Sequence, residues 1–464
     1  MAVTNVLMVT IDSLRYDRAL ESERATDPAP TLSSLAGSGH SFAEAYANGP
    51  NTPSSFPTIL TGTYPMFYGG YRYLDERRPF LSETLRDRGM TTVGYHSNPH
   101  LGPEKNYNKG FDVFNDGAES DNDAMTIKNV VDEYVPADSW LYSVLRRGWH
   151  HLTMTTDTAA YAPATEITDR AVDWLETDWD GQTPYFMWLH YMDVHYPFTP
   201  PDRFLEEVAV DPLSTRRTAD LNGRMQEDPD SLTSEDRADL LNLYDGEIRY
   251  MDHNLARLLE RLEACGAREE TAVVVTADHG EAFGEHGRYG HHPHNYDELI
   301  HVPLVVDVPG RDGRRIDEQV SLIDLPPTLY DLVGVEVPEG VQGRSLVGLM
   351  NDETSVEDED GEDGAEADDS VVICTSRGGD MLTTRTPRWK LLWDREVDDV
   401  ELYDLESDPG ESRNVSEENP AVVERFRGLL EDHVAEARET DTDLPDVEES
   451  DEVKQRLEEL GYVD

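Results

Sequence analysis

Basic residues, and lysine above all, are scarce in this chain. Its 464 residues include 39 Lys and Arg against 96 Asp and Glu, a net charge of −57. Only five are lysine: Lys105, Lys109, Lys128, Lys390 and Lys454. A phosphate backbone binds a basic face, so this composition argues against nucleic acid as a partner. A dense carboxylate surface stays soluble where salt screens its charges, which indicates adaptation to high salt.

Cysteines and long apolar runs are also scarce. The two cysteines, Cys265 and Cys374, lie far apart and have no motif around them. This excludes a disulfide framework and favours a reduced, cytoplasmic setting. No run of about 20 apolar residues is present, and the chain enters a strand pattern at once without a leader signature. We therefore expect a soluble intracellular protein without a membrane span.

Apolar strand patterns alternate with amphipathic stretches along most of the chain. Strands are predicted at 6–11, 91–95, 186–190, 272–276 and 302–308, and helices at 81–88 and 240–265. This alternation predicts an α/β fold, with a mainly parallel central sheet and helices on both faces. Strands at 371–375 and 389–393 and a helix at 420–438 predict a smaller C-terminal α+β subdomain.

The composition suggests where the chain divides. Residues 349–370 are strongly acidic with scattered glycine, as in a solvated linker or insertion. We therefore expect a larger domain at 1–348 and a C-terminal subdomain with an acidic tail at 371–464, where 453–460 has a short helical signal. The stretch 120–161 is a candidate lid.

The stretch 272–287 carries the strongest chemical signal. An aliphatic strand pattern runs directly into Asp278 and His279, and open α/β sheets place their ligands at the carboxyl ends of strands. Asp12 likewise follows the first predicted strand. Two carboxylates and an imidazole can hold a divalent ion and leave positions open for substrate. The ordinary alternative is a capped strand end with surface charges.

A nucleophile is expected in the segment 49–65. Its hydroxyl side chains stand at the entrance to a probable short helix, where the helix dipole favours an alkoxide and an anionic substrate. Contact with a metal ion would lower the pKa of such a hydroxyl further. A turn rich in Pro and Ser is more often only a turn and a helix cap, and that interpretation stays open here.

Taken in order, several segments resemble the sulfatase family of the alkaline phosphatase superfamily. The matching segments cover nearly all of the chain: 6–17, 61–65, 189–201, 244–252, 277–281 and 401–411. They are similar to the family's first strand with its metal Asp, the end of its nucleophile motif, its substrate-side His segment, two of its most specific signatures and its C-terminal motif. The resemblance implies a hydrolase of sulfate or phosphate esters. With the acid excess, a haloarchaeal source is expected.

The chain departs from the family pattern at the nucleophile. Usual sulfatases have Cys or Ser in a Cys-x-Pro-Ser-Arg motif that is oxidised to formylglycine, and no Cys is present here. Counting back from Gly62 places Thr52 at that position, whereas aligning the Pro-Ser pair places Asn51 there. Because Asn cannot supply an alkoxide, we predict Thr52. Phe56 stands where the motif has Arg, and Ser13 stands where the family has a second metal Asp.

The resemblance implies roles for further residues. One divalent ion, Ca, Mg or Mn, would be held by Asp12, Thr52, Asp278 and His279, with a second ion possible. Thr52 would attack sulfur or phosphorus of the ion-bound anion. The remaining candidates, which would bind the anion or protonate the leaving alcohol, are His195 and either His292 or His291. Arg15 is a candidate contact to the anion, although a salt bridge explains it equally well.

Two other interpretations stay open. A phosphotransferase, or a two-metal phosphodiesterase or phosphomutase of the same superfamily, would use Asp193, His195 and His301 for a second ion. A non-catalytic sulfatase-like protein would bind an anion or a partner, although Asp12, Thr52 and the Asp278-His279 pair argue for catalysis. The expected partner is a small-molecule or glycan ester of sulfate or phosphate.

Overall fold

The structure is a computed structural model of the chain. It describes residues 3–21, 25–115, 161–351 and 371–441, together with 444, 453–454 and 456–457. The candidate lid at 120–161 and the acidic stretch at 349–370 therefore fall almost entirely outside the described residues, as does most of the predicted helix at 453–460. The domain boundaries stay predictions.

Strands of the described chain form two main sheets and two short pairs. They are β1 (Asn5–Ile11), β2 (His40–Phe42), β3 (Ala45–Tyr46), β4 (Thr91–Tyr95), β5 (Val113–Asn115), β6 (Tyr185–Tyr191), β7 (Thr271–Ala277), β8 (Ala282–Phe283), β9 (Tyr289–Gly290), β10 (Leu304–Asp307), β11 (Arg315–Ile316), β12 (Val320–Ser321), β13 (Val372–Ser376), β14 (Met381–Arg385), β15 (Trp389–Asp394) and β16 (Asp399–Asp404).

The larger sheet has the order β11-β2-β10-β7-β1-β6-β4-β5. Its pairings are parallel except at β10, which runs antiparallel to both β7 and β2. Every residue of β1, β6 and β7 is buried, which explains their nearly continuous apolar sequences. The mainly parallel central sheet predicted from the sequence is therefore confirmed.

The described chain has twelve α-helices, the last of which packs on the second sheet. They are α1 (Tyr16–Ala19), α2 (Pro30–Ser38), α3 (Thr52–Thr61), α4 (Leu81–Asp87), α5 (Ala164–Asp173), α6 (Asp202–Glu207), α7 (Thr215–Glu227), α8 (Ser234–Ala264), α9 (Asp297–Ile300), α10 (Leu325–Leu332), α11 (Val347–Met350) and α12 (Pro420–Glu439). Helix α2 contacts β10, α4 contacts β4 and α5 contacts β6. Among the described helices, none combines the length and the apolar composition of a membrane span.

A second, antiparallel sheet forms the C-terminal subdomain. Strands β13, β14, β15 and β16 pair in chain order, and α12 contacts β14 and β15. Leu382, Leu391 and Leu402 from the strands pack with Phe426 and Leu430 of the helix in one buried cluster. The predicted α+β subdomain is confirmed by this arrangement.

Register along the central strands fixes where the site lies. Ile11 at the end of β1 pairs with Ala277 at the end of β7 and with Tyr191 at the end of β6. The residues that follow these three strands therefore emerge together at one edge of the sheet. Asp12, Met192 and Asp278 are those residues.

Candidate active site

Two buried carboxylates meet at the carboxyl edge of the sheet. Asp12 follows β1, Asp278 follows β7, and both side chains are fully buried. The backbone N–H of Ser13 donates to Asp278 Oδ1 at 3.3 Å, and the Ser13 hydroxyl donates to Asp12 Oδ1 at 3.0 Å. Ser13 therefore braces both carboxylates at the position where the family pattern has a metal carboxylate.

Thr52 reaches these carboxylates from the first residue of α3. Asn51 is the N-cap of that helix, and its Oδ1 accepts a hydrogen bond from the Ser54 N–H at 3.1 Å. The Thr52 hydroxyl Oγ1 lies 3.4 Å from Asp12 Oδ2 and 3.4 Å from His279 Nε2. Asn51 thus serves as a helix cap, and Thr52 is the residue whose side chain faces the site.

The protonation of His279 follows from its neighbours. Its Nδ1 lies 2.8 Å from the backbone oxygen of Gly280, which can only accept, so Nδ1 carries the proton. The Nε2 lone pair consequently points into the site, 3.5 Å from Asp12 Oδ1 and 3.6 Å from Asp278 Oδ2. An imidazole in this tautomer is ready to bind a metal ion.

The electrostatics of the two carboxylates fit a bound cation. Burial, reinforced by the charge of Asp12, raises the pKa of Asp278 to about 8. Burial also acts to raise the pKa of Asp12, but His195, His190 and His279 together hold it well below its usual value. Asp278 Oδ2 has no hydrogen-bond partner among the described residues. A divalent ion would neutralise the charge of both carboxylates, and Asp278 Oδ2 could bind it as a ligand.

Two further residues, which the sequence analysis missed, contact Asp12 at the candidate metal site. Asn98 donates from Nδ2 to Asp12 Oδ2 at 2.9 Å and lies 3.4 Å from Thr52 Oγ1. His190 Nε2 lies 3.2 Å from Asp12 Oδ2, and ligand atoms of Asp12, His190 and Asp278 all lie within 4.8 Å of one another. His190 lies near the end of β6, which pairs with β1, and Asn98 follows β4, which pairs with β6. The strand-end rule indicates this edge of the sheet for both residues, but their contacts with Asp12 depend on the strand order.

His190 is itself held by a chain of buried hydrogen bonds. The indole N–H of Trp188 donates to Thr10 Oγ1 at 3.0 Å, and that hydroxyl lies 2.9 Å from His190 Nδ1. The edge of the Phe56 ring packs against His190, with ring centroids 5.0 Å apart. Phe56, which stands in place of the motif's Arg, therefore supports the imidazole from the core and contributes no charge.

His195 and His291, two of the candidate contacts to the anion, differ in their pKa values. His195 donates from Nδ1 to the Tyr196 oxygen at 2.5 Å, and burial lowers its pKa to about 4. The His291 ring lies 4.9 Å from that of His195 and 5.2 Å from that of His279. Burial acts to lower the pKa of His291, but the carboxylate of Glu281, 3.7 Å away, raises it above its usual value. The site thus pairs a neutral His195 with a more basic His291.

The structure places His292 away from this group. Its ring contacts are with His294, at 5.4 Å, and Tyr296, at 6.3 Å. Burial and the neighbouring charges of His294 and Arg288 lower its pKa to about 3. Of the two alternatives left open by the sequence, the geometry therefore favours His291.

Arg15 and the proposed second-ion residues lie in other surroundings. The guanidinium of Arg15 is bound to Asp17 at 2.9 Å and Glu285 at 3.1 Å, as the salt-bridge interpretation expects. His301 is stacked between two tyrosines and binds the Ala43 oxygen at 2.8 Å. Asp193 accepts from the Ala164 N–H at 2.7 Å. Among the described residues, Asp193, His195 and His301 do not converge as a metal cluster.

A buried lysine, Lys105, lies beside His100, which is close enough to the site to feel the charge of Asp12. Lys105 is 7% exposed, and its Nζ lies 3.4 Å from His100 Nδ1. Burial and then the Lys105 charge lower the pKa of His100 well below its usual value, while His100 also feels the charges of Asp12 and His195. Neither residue was identified as a site residue from the sequence, since they lie in two short 3-10 helices, Pro99–Leu101 and Pro103–Lys105, that have no recognisable pattern.

Comparison with known proteins assigns the fold and the family. Residues 4–335 match the sulfatase family, and 284–439 match the C-terminal region of N-sulphoglucosamine sulphohydrolase. The arylsulfatase of Clostridium perfringens is 23% identical over 92% of this chain and 93% of its own length. The phosphonate monoester hydrolase of Agrobacterium radiobacter superposes with a TM-score of 0.68 at 22% identity, covering 94% of this chain and 96% of the other.

A further solved structure has the same fold. It was determined with its substrate, D-glucosamine-2-N,6-O-disulfate, and aligns with a TM-score of 0.69 at 19% identity over 94% of this chain and 98% of that one. Fold and relatives define an ester hydrolase of the alkaline phosphatase-like superfamily. Within it, the chain belongs to the sulfatase family.

Proposed function

We propose that the protein is a metal-dependent hydrolase of sulfate or phosphate esters that uses unmodified Thr52 as its nucleophile. The observation that carries the proposal is the position of the Thr52 hydroxyl, 3.4 Å from both Asp12 Oδ2 and His279 Nε2 at the start of α3. A hydroxyl at a helix N-terminus beside metal-type ligands is suited to react as an alkoxide.

Asp12, Thr52, Asp278 and His279 would hold one divalent ion, Ca, Mg or Mn, and His190 is close enough to join them. When bound, such an ion lowers the pKa of a coordinated hydroxyl and neutralises charge on the ester oxygens. The Asn98 amide, 3.4 Å from Thr52 Oγ1, can donate to that oxygen once its proton has left. These protein groups fix the nucleophile for in-line attack.

His291 is the best-placed proton donor for the leaving alcohol. Its raised pKa makes it the more readily protonated of the two imidazoles, whereas His195 is neutral at pH 7. His195 donates from Nδ1 to the backbone, so its Nε2 can accept a hydrogen bond from a hydroxyl group of the substrate. In this proposal His291 donates the proton to the leaving group, and His195 orients the substrate.

The nature of the anion is a separate part of the proposal. With Phe56 in place of Arg, the pocket lacks the cation of the usual sulfatase motif, and Lys105 is the buried cation nearby. The substrate class we propose is a small-molecule or glycan ester of sulfate, with phosphate esters as the alternative. Of the two groups of described residues that could hold a metal ion, only Asp12, His190 and Asp278 lie at this site, which favours one ion there over the two-metal phosphodiesterase or phosphomutase interpretation.

The setting of the protein is likewise proposed. Its net charge of −57 and five lysines support a halophilic, haloarchaeal source, and a cytoplasmic location stays the expectation from the sequence. Enzymatic assay of the native host's fractions would test the location.

A substrate screen tests the activity. Aryl sulfates, aryl phosphates and phosphodiesters are assayed at high salt with added Mg, Mn or Ca, beside a chelator-treated sample. We expect turnover of at least one class that is lost on chelation and restored by one ion. Absence of turnover for every class and ion would instead favour the non-catalytic, anion-binding alternative.

A further inference from the structure

Three side chains meet where the catalytic unit contacts the C-terminal sheet. His286 lies in the turn after β8, Glu298 in α9, and Glu411 in the loop after β16. One ligand atom from each lies within 4.8 Å of the other two. We call these three residues the junction cluster; none of them belongs to the active site described above.

The imidazole of His286 is held in place. Its ring stacks on that of Tyr296 with a centroid distance of 3.7 Å and an interplanar angle of 6°. Its Nε2 lies 3.7 Å from Glu298 Oε2, which is too long for a hydrogen bond. The two groups therefore face each other without binding directly.

Glu298 is the observation that points to a ligand. Its side chain is 7% exposed, and Oε1 has no hydrogen-bond partner among the described residues. A buried carboxylate oxygen without a partner is costly, and the other oxygen of the same group, Oε2, faces His286 in the cluster. Burial raises its pKa to about 7, to which the charge of Glu285 adds.

The neighbouring cations do not balance this carboxylate. Lys390 lies 2.7 Å from both Glu411 Oε1 and Asp297 Oδ1, and Arg385 lies 3.1 Å from Asp297. Among the described residues, neither cation forms an ion pair with Glu298, although the charge of Lys390 favours its ionised form. A metal ion beside Glu298 would stabilise that ionised form further.

We propose that the junction cluster binds a divalent transition-metal ion, Zn²⁺ or Mn²⁺. One imidazole nitrogen and two carboxylates suit these ions, whereas Ca²⁺ prefers oxygen ligands throughout. The ligands come from the catalytic unit and from the C-terminal subdomain. A bound ion therefore ties the two together and stabilises the folded chain.

Metal content and melting temperature test this inference. Wild type, Asp278→Asn, His286→Ala and the double variant are equilibrated with Zn²⁺, dialysed and analysed for metal per chain. We expect His286→Ala to bind one Zn²⁺ fewer than wild type, and the double variant to bind one fewer than Asp278→Asn. His294→Ala, which removes another imidazole from the same loop, is the matched control and should retain the wild-type content.

Glu298→Gln separates metal binding from a purely structural role. Because it removes an unbalanced buried charge, we expect the metal-free variant to melt no lower than wild type, and the rise in Tm on adding Zn²⁺ to be lost. Unchanged metal content in both His286→Ala and Glu298→Gln would overturn the inference. Loss of only the ion removed by Asp278→Asn would point to the active site alone.

Discussion

At the scale of single residues, neighbours give identical side chains different chemistry. His279 and His195 both donate from Nδ1 to a backbone oxygen, which leaves Nε2 as an acceptor or ligand. His291 instead faces the carboxylate of Glu281, which raises its pKa. The sequence shows only that histidines are clustered; the division of roles depends on which atom each Nδ1 meets in the fold.

The convergence of Asp12 and Asp278, the proposed metal ligands, could be predicted from the sequence. Asp12 and Asp278 follow buried strands, and the end of a strand in a parallel sheet is where ligands gather. The neighbouring His190 and Asn98 were missed because their contacts with Asp12 depend on strand order, and this order is set by pairings between β1, β6 and β4. A single sequence does not reveal such long-range pairings.

The Asp278→Asn substitution tests the ligand assignment. We expect at least about a 100-fold loss of affinity for the divalent ion, since a charged ligand becomes neutral. The pKa of Asp278 is raised to about 8 in the fold, so its charge costs stability most above that pH. The metal-free variant should therefore be more stable than metal-free wild type at alkaline pH. Calorimetric titration and thermal melts measure both; unchanged ion affinity would contradict the assignment.

Paired substitutions at adjacent histidines test the proton donor. We expect His291→Gln to lower kcat by about 100-fold or more for substrates with poor leaving groups, and by much less for activated aryl esters. His292→Gln is the matched control, because its ring contacts His294 and Tyr296, and it should change kcat little. Equal losses for the two variants in steady-state assays would show that His291 has no special role.

At the scale of elements, the prediction succeeded best for the buried strands. Continuous apolar runs marked β1, β6 and β7, because strands buried on both faces leave no polar alternation. The direction of a strand is harder to predict from the sequence. The strand predicted at 302–308 is β10, which is shorter than predicted and runs antiparallel to β7. Helix α8 begins at Ser234, before the predicted start at 240, because Thr233 and Asp236 form a capping box ahead of the apolar pattern.

Helix α12 carries a buried histidine that should make stability depend on pH. His433 packs against Tyr64 and Phe67, which follow α3, with ring centroids 4.6 and 5.3 Å apart. Burial lowers its pKa from 6.5 to about 4. The unfolded chain therefore binds a proton more readily than the folded one between these values. Stability from this group is present above pH 6.5 and is lost as the pH falls towards 4.

Urea unfolding of His433→Phe at constant high salt tests this effect. Between about pH 7 and pH 5, wild type should lose on the order of 2 kcal/mol more stability than the variant, which cannot take up this proton. Other titrating groups act equally on both proteins and cancel in the difference. Parallel stability curves for the two proteins would contradict the burial effect.

At the scale of the whole molecule, charge dominates the expected behaviour. A net charge of −57 on one chain produces strong self-repulsion, which salt screens. The composition could predict this property directly, since it requires no knowledge of the fold. The placement of the few buried cations, such as Lys390 between Asp297 and Glu411, could not be predicted because it arises from tertiary packing.

The melting temperature should therefore depend steeply on salt. We expect a fall of about 10 °C or more between about 2 M and about 0.1 M KCl, as unscreened carboxylates repel one another. Sucrose at equal osmolality is the control, because it does not screen charge. A Tm that is independent of KCl, or that sucrose restores fully, would show that repulsion is not the cause.

The central claim is that unmodified Thr52 carries out the attack, and trapping its covalent adduct tests this most directly. Enzyme quenched in acid during turnover is digested and analysed by mass spectrometry, with Thr52→Ala beside it. We predict a sulfuryl or phosphoryl group on Thr52 of wild type, no adduct on the variant, and loss of the variant's turnover with its fold intact. An adduct on another residue, or full activity of Thr52→Ala, would contradict the account.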